Sequence, residues 1–138
     1  MSTLVDTSVL LDILLDDKRF AGSSEIFLRK ARNKGRIVVC EVVLAEIRPA
    51  LQSDAELSSF CEDLGLEFEA CTIEAAALAG SMYARCLANK GTAKRVLPDF
   101  LVGAHAQAGG YTLLARDRGY YREYFKSIEL LDPSRIAD

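Results

Sequence analysis

A single histidine, His105, serves the whole chain, and that scarcity removes several chemistries at once. A Ser–His–Asp triad would have to use it, yet it sits in the alanine-rich stretch Gly103-Ala104-His105-Ala106 with no nucleophile-elbow motif nearby. A packing or surface histidine is the better reading. The four cysteines (40, 61, 71 and 86) show no Cys-x-x-Cys spacing, so reduced, buried thiols in a cytoplasm are expected, and with His105 the only histidine a zinc site is not. The glycines at 35, 65, 91 and 109–110 do not assemble into a phosphate-binding loop. Ser8 stands two residues after Asp6, where a haloacid-dehalogenase-type phosphatase needs a second Asp. No apolar run approaches the roughly 18 residues of a membrane span. The first apolar run breaks at Asp6, so neither a leader nor a membrane anchor is expected.

What is present is an ordinary globular balance, 50% hydrophobic and 27% charged, in 138 residues: one domain over 1–138 with its own core. The net charge of −3 hides an asymmetry. From Arg85 to Lys126 eight Lys or Arg residues face three acids, a local excess of five positive charges that leaves −8 for the rest. A polyanionic substrate would need such a sector, although solvated helix faces would look the same.

Strand and helix patterns alternate along the chain. Thr3 to Asp6 reads as a buried strand, with Thr7 or Ser8 capping the helix that follows. A helix opened by Ser23 or Ser24 stops at Gly35, and Arg36 to Cys40 is a second strand. Val42 to Leu51 reads as a helix that Pro49 must kink or end. Asp54 can cap a helix ending at Gly65, and Leu66 to Cys71 alternates like an edge strand. Thr72 caps a long helix to about Asn89; Pro98 begins another that Gly109-Gly110 stops. Tyr111 to Ala115 and Ser127 to Leu131 are the last strands. The pattern predicts an α/β domain with a mostly parallel sheet.

Four acids, Asp6, Glu46, Asp99 and Asp117, lie where strand ends and helix starts converge in such a sheet. Each has a bland explanation: Asp6 and Asp99 as helix-start acids, Asp117 as a turn residue, Glu46 as a solvated helix acid. Asp6 and Glu46 resist it, being set among apolar residues where an unpaired charge is costly. Glu41 and Asp12 are substitutes for either. Together the four suit a hard cation such as Mg²⁺ or Mn²⁺, and metal-assisted phosphodiester hydrolysis. Ser8, Lys94, Arg95 and Arg116 are the candidate substrate contacts, and Tyr120, Tyr121, Tyr124 and Phe125 could either stack on bases or pack on the core.

The segments Val5-Asp6-Thr7-Ser8-Val9-Leu10-Leu11-Asp12, Glu46, Pro98-Asp99-Phe100-Leu101-Val102-Gly103-Ala104 and Leu113-Leu114-Ala115-Arg116-Asp117-Arg118-Gly119-Tyr120 resemble, in that order, the PIN domain family. The resemblance covers essentially the whole chain, whose short length is similar to the VapC-type toxins of prokaryotic toxin–antitoxin pairs. It implies a three-layer PIN-like fold and a Mg²⁺- or Mn²⁺-dependent endoribonuclease. Its implied ligands are Asp6, Glu46, Asp99 and Asp117, with the Ser8 hydroxyl nearby. The partners expected are RNA, a cognate antitoxin and a second copy of the chain, with no membrane. Two positions depart from the pattern: Ala115 where the family often has Thr or Ser, and Pro98 where a small polar residue is common. The alternatives are a processing or DNA-cleaving nuclease without antitoxin, and a catalytically idle PIN-like protein-binding module.

Overall fold

The computed structural model describes residues 1–90 and 97–135, Lys90 by its backbone only. Its frame is one five-stranded sheet: β1 (Ser2–Val5), β2 (Arg36–Val39), β3 (Leu66–Phe68), β4 (Thr112–Leu114) and β5 (Leu130–Leu131), in the order β3-β2-β1-β4-β5. All four pairings are parallel, so the sheet is wholly rather than mostly parallel. Parallel strands are joined by crossovers, and helices flank the sheet to make the three layers expected. The helices are α1 (Thr7–Leu14), α2 (Ala21–Lys34), α3 (Glu41–Ile47), α4 (Asp54–Leu64), α5 (Ile73–Lys90), α6 (Leu97–Gly109) and α7 (Tyr120–Tyr124).

The inner strands are near-continuous apolar runs because both their faces are covered: Leu4, Val5, Ile37, Val38, Val39, Leu113 and Leu114 are buried. β3 is the edge strand its alternation suggested, with Glu67 and Phe68 exposed. Pro49 ends α3 as expected, by tightening the chain into a 3₁₀ turn over Arg48–Ala50. Three caps differ from expectation: α2 opens at Ala21 after Phe20, with no side-chain cap, so Ser23 and Ser24 lie inside it. Asp6, not Thr7 or Ser8, caps α1, and Ser53 rather than Asp54 caps α4 by accepting the Glu56 N–H. Gly65 stops α4 at φ +69°, where a side chain would be strained.

The tyrosines near the C-terminus pack on the core. Phe100 of α6 sits among Tyr83, Tyr120, Tyr124 and Phe125 at ring-centroid distances of 5.2 to 5.9 Å, all tilted. Gly103 makes this possible: a Cβ there would lie 2.6 Å from the Phe125 ring.

The topology positions the site. Successive strands run outward from β1 to β2 and β3, then the chain returns to lay β4 on the other edge of β1. That reversal leaves a crevice at the carboxyl ends of β1 and β4, the usual place for a site in a parallel sheet.

Candidate active site

Asp6 is the first residue beyond β1 and stands in this crevice. Its N–H donates to the Leu114 carbonyl at 2.9 Å, continuing the β1–β4 ladder by one rung. Its carboxylate caps α1 and accepts the Ser8 hydroxyl at 2.8 Å. The side chain is nonetheless buried, 6% exposed. Burial pushes its carboxyl up from 3.8 to about 6, with the like charge of Asp99 adding to the rise and the Ser8 bonds opposing it.

Around Asp6 opens a cleft of about 260 Å³ into which Glu46 from α3 and Asp99 from α6 also project. Glu46 is exposed rather than turned toward packed structure as its apolar neighbours suggested. Val43 and Ile47 take the buried face of α3, and Glu46 lies about 100° around the helix from Ile47. Thr7 donates to it at 2.6 Å, fixing one carboxylate oxygen. Asp99 is in the first turn of α6, with its side chain 17% exposed, and pairs with Arg118 at 2.8 Å. Hydrogen bonding to Asp99 and its charge raise the already high pKa of that arginine. Three carboxylates from three elements therefore share one small cleft with a single direct cationic contact, the Arg118–Asp99 pair, among the described residues.

Asp117 is not brought into this cleft. Its carboxylate is fully buried at the start of α7, accepting the N–H groups of Gly119 (2.8 Å), Tyr121 (3.1 Å) and Arg122 (3.3 Å), with the Arg122 guanidinium 2.8 Å away. Those four contacts use up its lone pairs. The bland reading, a turn acid ordering the backbone that follows it, fits what it touches. Asp12 is likewise withdrawn, held bidentate by Arg116 at 2.8 Å for each bond and by Ser24 at 2.7 Å. Glu41 accepts the Cys71 N–H outside the cleft.

The expected substrate contacts fare unequally. Ser8 lines the cleft, but its hydroxyl donates to Asp6 and accepts the Arg116 N–H. Arg116 lines it too, with its charge matched by Asp12 and its guanidinium stacked over Phe20 at 4.2 Å. It is a staple between strand end and α1 more than a free cation. Lys94 and Arg95 lie outside the described residues. Three cations of the basic sector are thus engaged inside the molecule: Arg118 and Arg122 hold Asp99 and Asp117 of the same sector, and Arg116 holds Asp12 from outside it.

The sequence reading missed Thr7 as the residue orienting Glu46, Arg118 as the partner of Asp99, and Tyr121 as a cleft wall. Thr7 could have been suspected from its place beside Asp6. Arg118 and Arg116 share one motif, and nothing local distinguishes the arginine that reaches Asp99 from the one that reaches Asp12. The buried Tyr121 hydroxyl meets no hydrogen-bond geometry among the described residues, though it stands close enough to Asp6 for each to affect the other's ionisation. Burial, then the charges of Asp6 and Asp99, hold its phenol well above the usual range.

Chemically, the cleft is a hard-oxygen donor set: the carboxylates of Asp6, Glu46 and Asp99 with the hydroxyls of Thr7 and Ser8 beside them. The Asp6 carboxyl is raised by its burial first and by the like charge of Asp99 after that, and a divalent cation of the Mg²⁺ or Mn²⁺ type would favour its charged form.

Comparison with known proteins is consistent with this picture. The sequence matches the family model described as "PIN domain" over residues 3–126. VapBC2 from Rickettsia felis, solved with a DNA fragment from its promoter, is similar in structure: TM-score 0.70 at 19% identity, covering 96% of this chain and 98% of that one. DNA-bound VapBC from Salmonella typhimurium gives 0.68 at 22%, covering 96% and 98%. VapC20 from Mycobacterium tuberculosis, described as a sarcin-ricin loop cleaving toxin, gives 0.58 at 15%, covering 88% and 94%. Identities this low carry the fold alone. A search of curated proteins found no match.

Proposed function

The chain belongs to the PIN domain family, and from that premise we propose that it is a metal-dependent endoribonuclease, the toxin of a toxin–antitoxin pair. The observation that carries the reading is the convergence of Asp6, Glu46 and Asp99 on one cleft at the β1–β4 crevice, with a buried carboxyl at its centre. These three would hold Mg²⁺ or Mn²⁺. When bound, such a cation supplies the positive charge that makes water nucleophilic and steadies the departing oxygen of a phosphodiester. Asp117 serves instead as the N-terminal anchor of α7.

The chain's own residues do the positioning. Ser8 fixes the Asp6 carboxylate and Thr7 that of Glu46, so two of the three donors are oriented before any cation arrives. Arg118, with a largely exposed side chain, is the cleft cation available to a phosphate once Asp99 is otherwise engaged. Lys94 and Arg95, outside the described residues, are the further cations that the sequence offers to an RNA backbone. No histidine lines the cleft, so attack comes from water rather than a 2′-hydroxyl, leaving 5′-phosphate ends.

The partners follow from the relatives. A similar structure from Klebsiella pneumoniae is a toxin-antitoxin complex and the Mycobacterium protein is described as a sarcin-ricin loop cleaving toxin, which supports an antitoxin partner and an RNA substrate here. We assign the protein to the cytoplasm, as a homodimer. No helix among the described residues is long and apolar enough to cross a membrane.

The test is cleavage of structured RNA by purified protein. It should require Mg²⁺ or Mn²⁺, stop with excess EDTA, and disappear in Asp99→Asn. Cleavage that persists in EDTA, with contaminating nucleases excluded, refutes the metal mechanism.

A further inference from the structure

Among the described residues, one group of three His, Cys, Asp or Glu side chains brings its ligand atoms close together, and it lies outside the acidic cleft, whose three carboxylates stand further apart. The Cys40 thiol, the Glu41 carboxylate and a ring nitrogen of His105 all fall within 4.8 Å of one another. They come from the end of β2, the start of α3 and the middle of α6. None of the three lines the acidic cleft.

His105 is the independent pointer. It is 4% exposed, and its Nε2 is bonded to Glu69 at 2.7 Å. Tyr111 donates to the other Glu69 oxygen at 2.6 Å, locking that carboxylate in place. The remaining nitrogen, Nδ1, is buried with no hydrogen-bond partner among the described residues. A buried nitrogen left unpaired is costly, unless a ligand satisfies it. A carboxylate behind one ring nitrogen is also the arrangement that orients a metal-binding histidine through the other. Glu41 is pre-positioned as well: both its oxygens face the Cys71 N–H, at 3.0 and 3.1 Å.

We propose that Cys40, Glu41 and His105 form a binding site for Zn²⁺ or a cation of similar softness, separate from the Mg²⁺/Mn²⁺ cleft. The ligand types decide the class. One thiolate, one imidazole and one carboxylate make a mixed sulfur–nitrogen–oxygen set that selects zinc-like ions, whereas Mg²⁺ prefers oxygen alone. Tetrahedral zinc ligands stand about 3.3–3.8 Å apart, so closing the group around an ion needs side-chain movements of about 1 Å. Cys40 is buried, but Glu41 is exposed and gives the ion an entry path. Three protein ligands leave a fourth position for water. On binding, the Cys40 thiol gives up its proton to solvent as the metal–sulfur bond forms, with no change of oxidation state.

The site also explains what the single histidine obscured. One imidazole is enough where the fold adds a thiol and a carboxylate from elsewhere in the chain. Its effect on the fold follows from where its ligands sit. Glu41 lies five residues before Glu46 on α3, and His105 six residues after Asp99 on α6, about 9 Å along the helix. An ion here would clamp α3 to α6 and so fix the spacing of two cleft acids.

Titration of the purified, reduced full-length protein with Co²⁺ tests this. One equivalent should bind with the near-ultraviolet thiolate-to-cobalt charge-transfer band and intense visible bands of tetrahedral coordination. Zn²⁺ should displace it stoichiometrically, and excess Mg²⁺ should not. The bands should survive in Asp99→Asn and vanish in Cys40→Ser. Because Cys40 is buried, the exposed Glu41→Gln is the second variant, expected to fold normally and weaken Co²⁺ binding at least about tenfold. Cobalt that binds without a charge-transfer band, binding lost in Asp99→Asn, or Glu41→Gln matching the parent would each overturn the site.

Discussion

Asp6→Asn should stabilise the metal-free protein while abolishing its activity. The Asp6 carboxyl ionises at 3.8 when unfolded and at about 6 in the fold, chiefly because it is buried. Holding it charged at neutral pH therefore costs the fold about 3 kcal/mol. Asparagine copies the shape of the neutral acid and keeps an oxygen for the Ser8 hydroxyl, so the variant should recover most of that. For a chain of this size the gain is on the order of 10 °C in melting temperature. The sign with pH is definite. A raised folded pKa means the parent has its full stability below about pH 4 and loses it as pH rises to about 6. The difference between variant and parent should thus be near zero at about pH 4, grow through that window and then level off. Added Mn²⁺ should close the gap from the other side, stabilising the parent by mass action and the variant little. The measurement is circular-dichroism melting of both proteins across the window, after chelator treatment, with and without Mn²⁺. An Asp6→Asn protein less stable than the parent at every pH, or an offset flat across the window, would refute the account of a buried charge awaiting a cation.

Two further outcomes separate neighbouring roles. Asp117→Ala should lower stability by about 3 kcal/mol, since it strands buried N–H groups and the Arg122 partner, yet leave the Mn²⁺ midpoint unchanged; calorimetric melting with Mn²⁺ titration reads both, and lost Mn²⁺ binding at intact stability would return Asp117 to the ligand set. Changing Lys94 and Arg95 together to Ala should flatten the salt dependence of RNA binding, each lost phosphate contact lowering the slope by about 0.7 for single strands, as filter binding across salt concentrations would show.

Much of the fold was legible because its signals are local. The apolar strand ending in Asp6, the stop at Pro49 and the turn at Gly65 are each decided by a few adjacent residues. Strand order is not local, and neither is α7, a five-residue helix with too few turns to show a period. Asp117 and the burial of Tyr121 and Tyr124 hold it in place. In the site, Asp6 and Asp99 read correctly as acids at element junctions facing the cleft. Glu46 reads correctly as a cleft acid but for the wrong reason, because apolar spacing on a helix of only seven residues does not fix which side is buried. Asp117 is hard to read because an acid that orders a following helix and one that faces a ligand occupy the same place in sequence. The arginines separate only in three dimensions: Arg116 finds Asp12 at 104 residues' distance and Arg118 finds Asp99 at 19.

The sheet order also has a consequence for how the chain is made. β1 precedes the other four strands in sequence, yet one of its edges has no partner until Thr112–Leu114 has left the ribosome. Asp6 cannot form its rung to Leu114 before then, and Phe125, which seats against Gly103 beneath the helix bearing Asp99, arrives later still. An unfinished chain therefore holds its acids without the scaffold that brings them together. The cleft is completed only after residues about 120 positions beyond Asp6 have been made, so a ribosome carrying a chain that stops short of them holds no finished cleft.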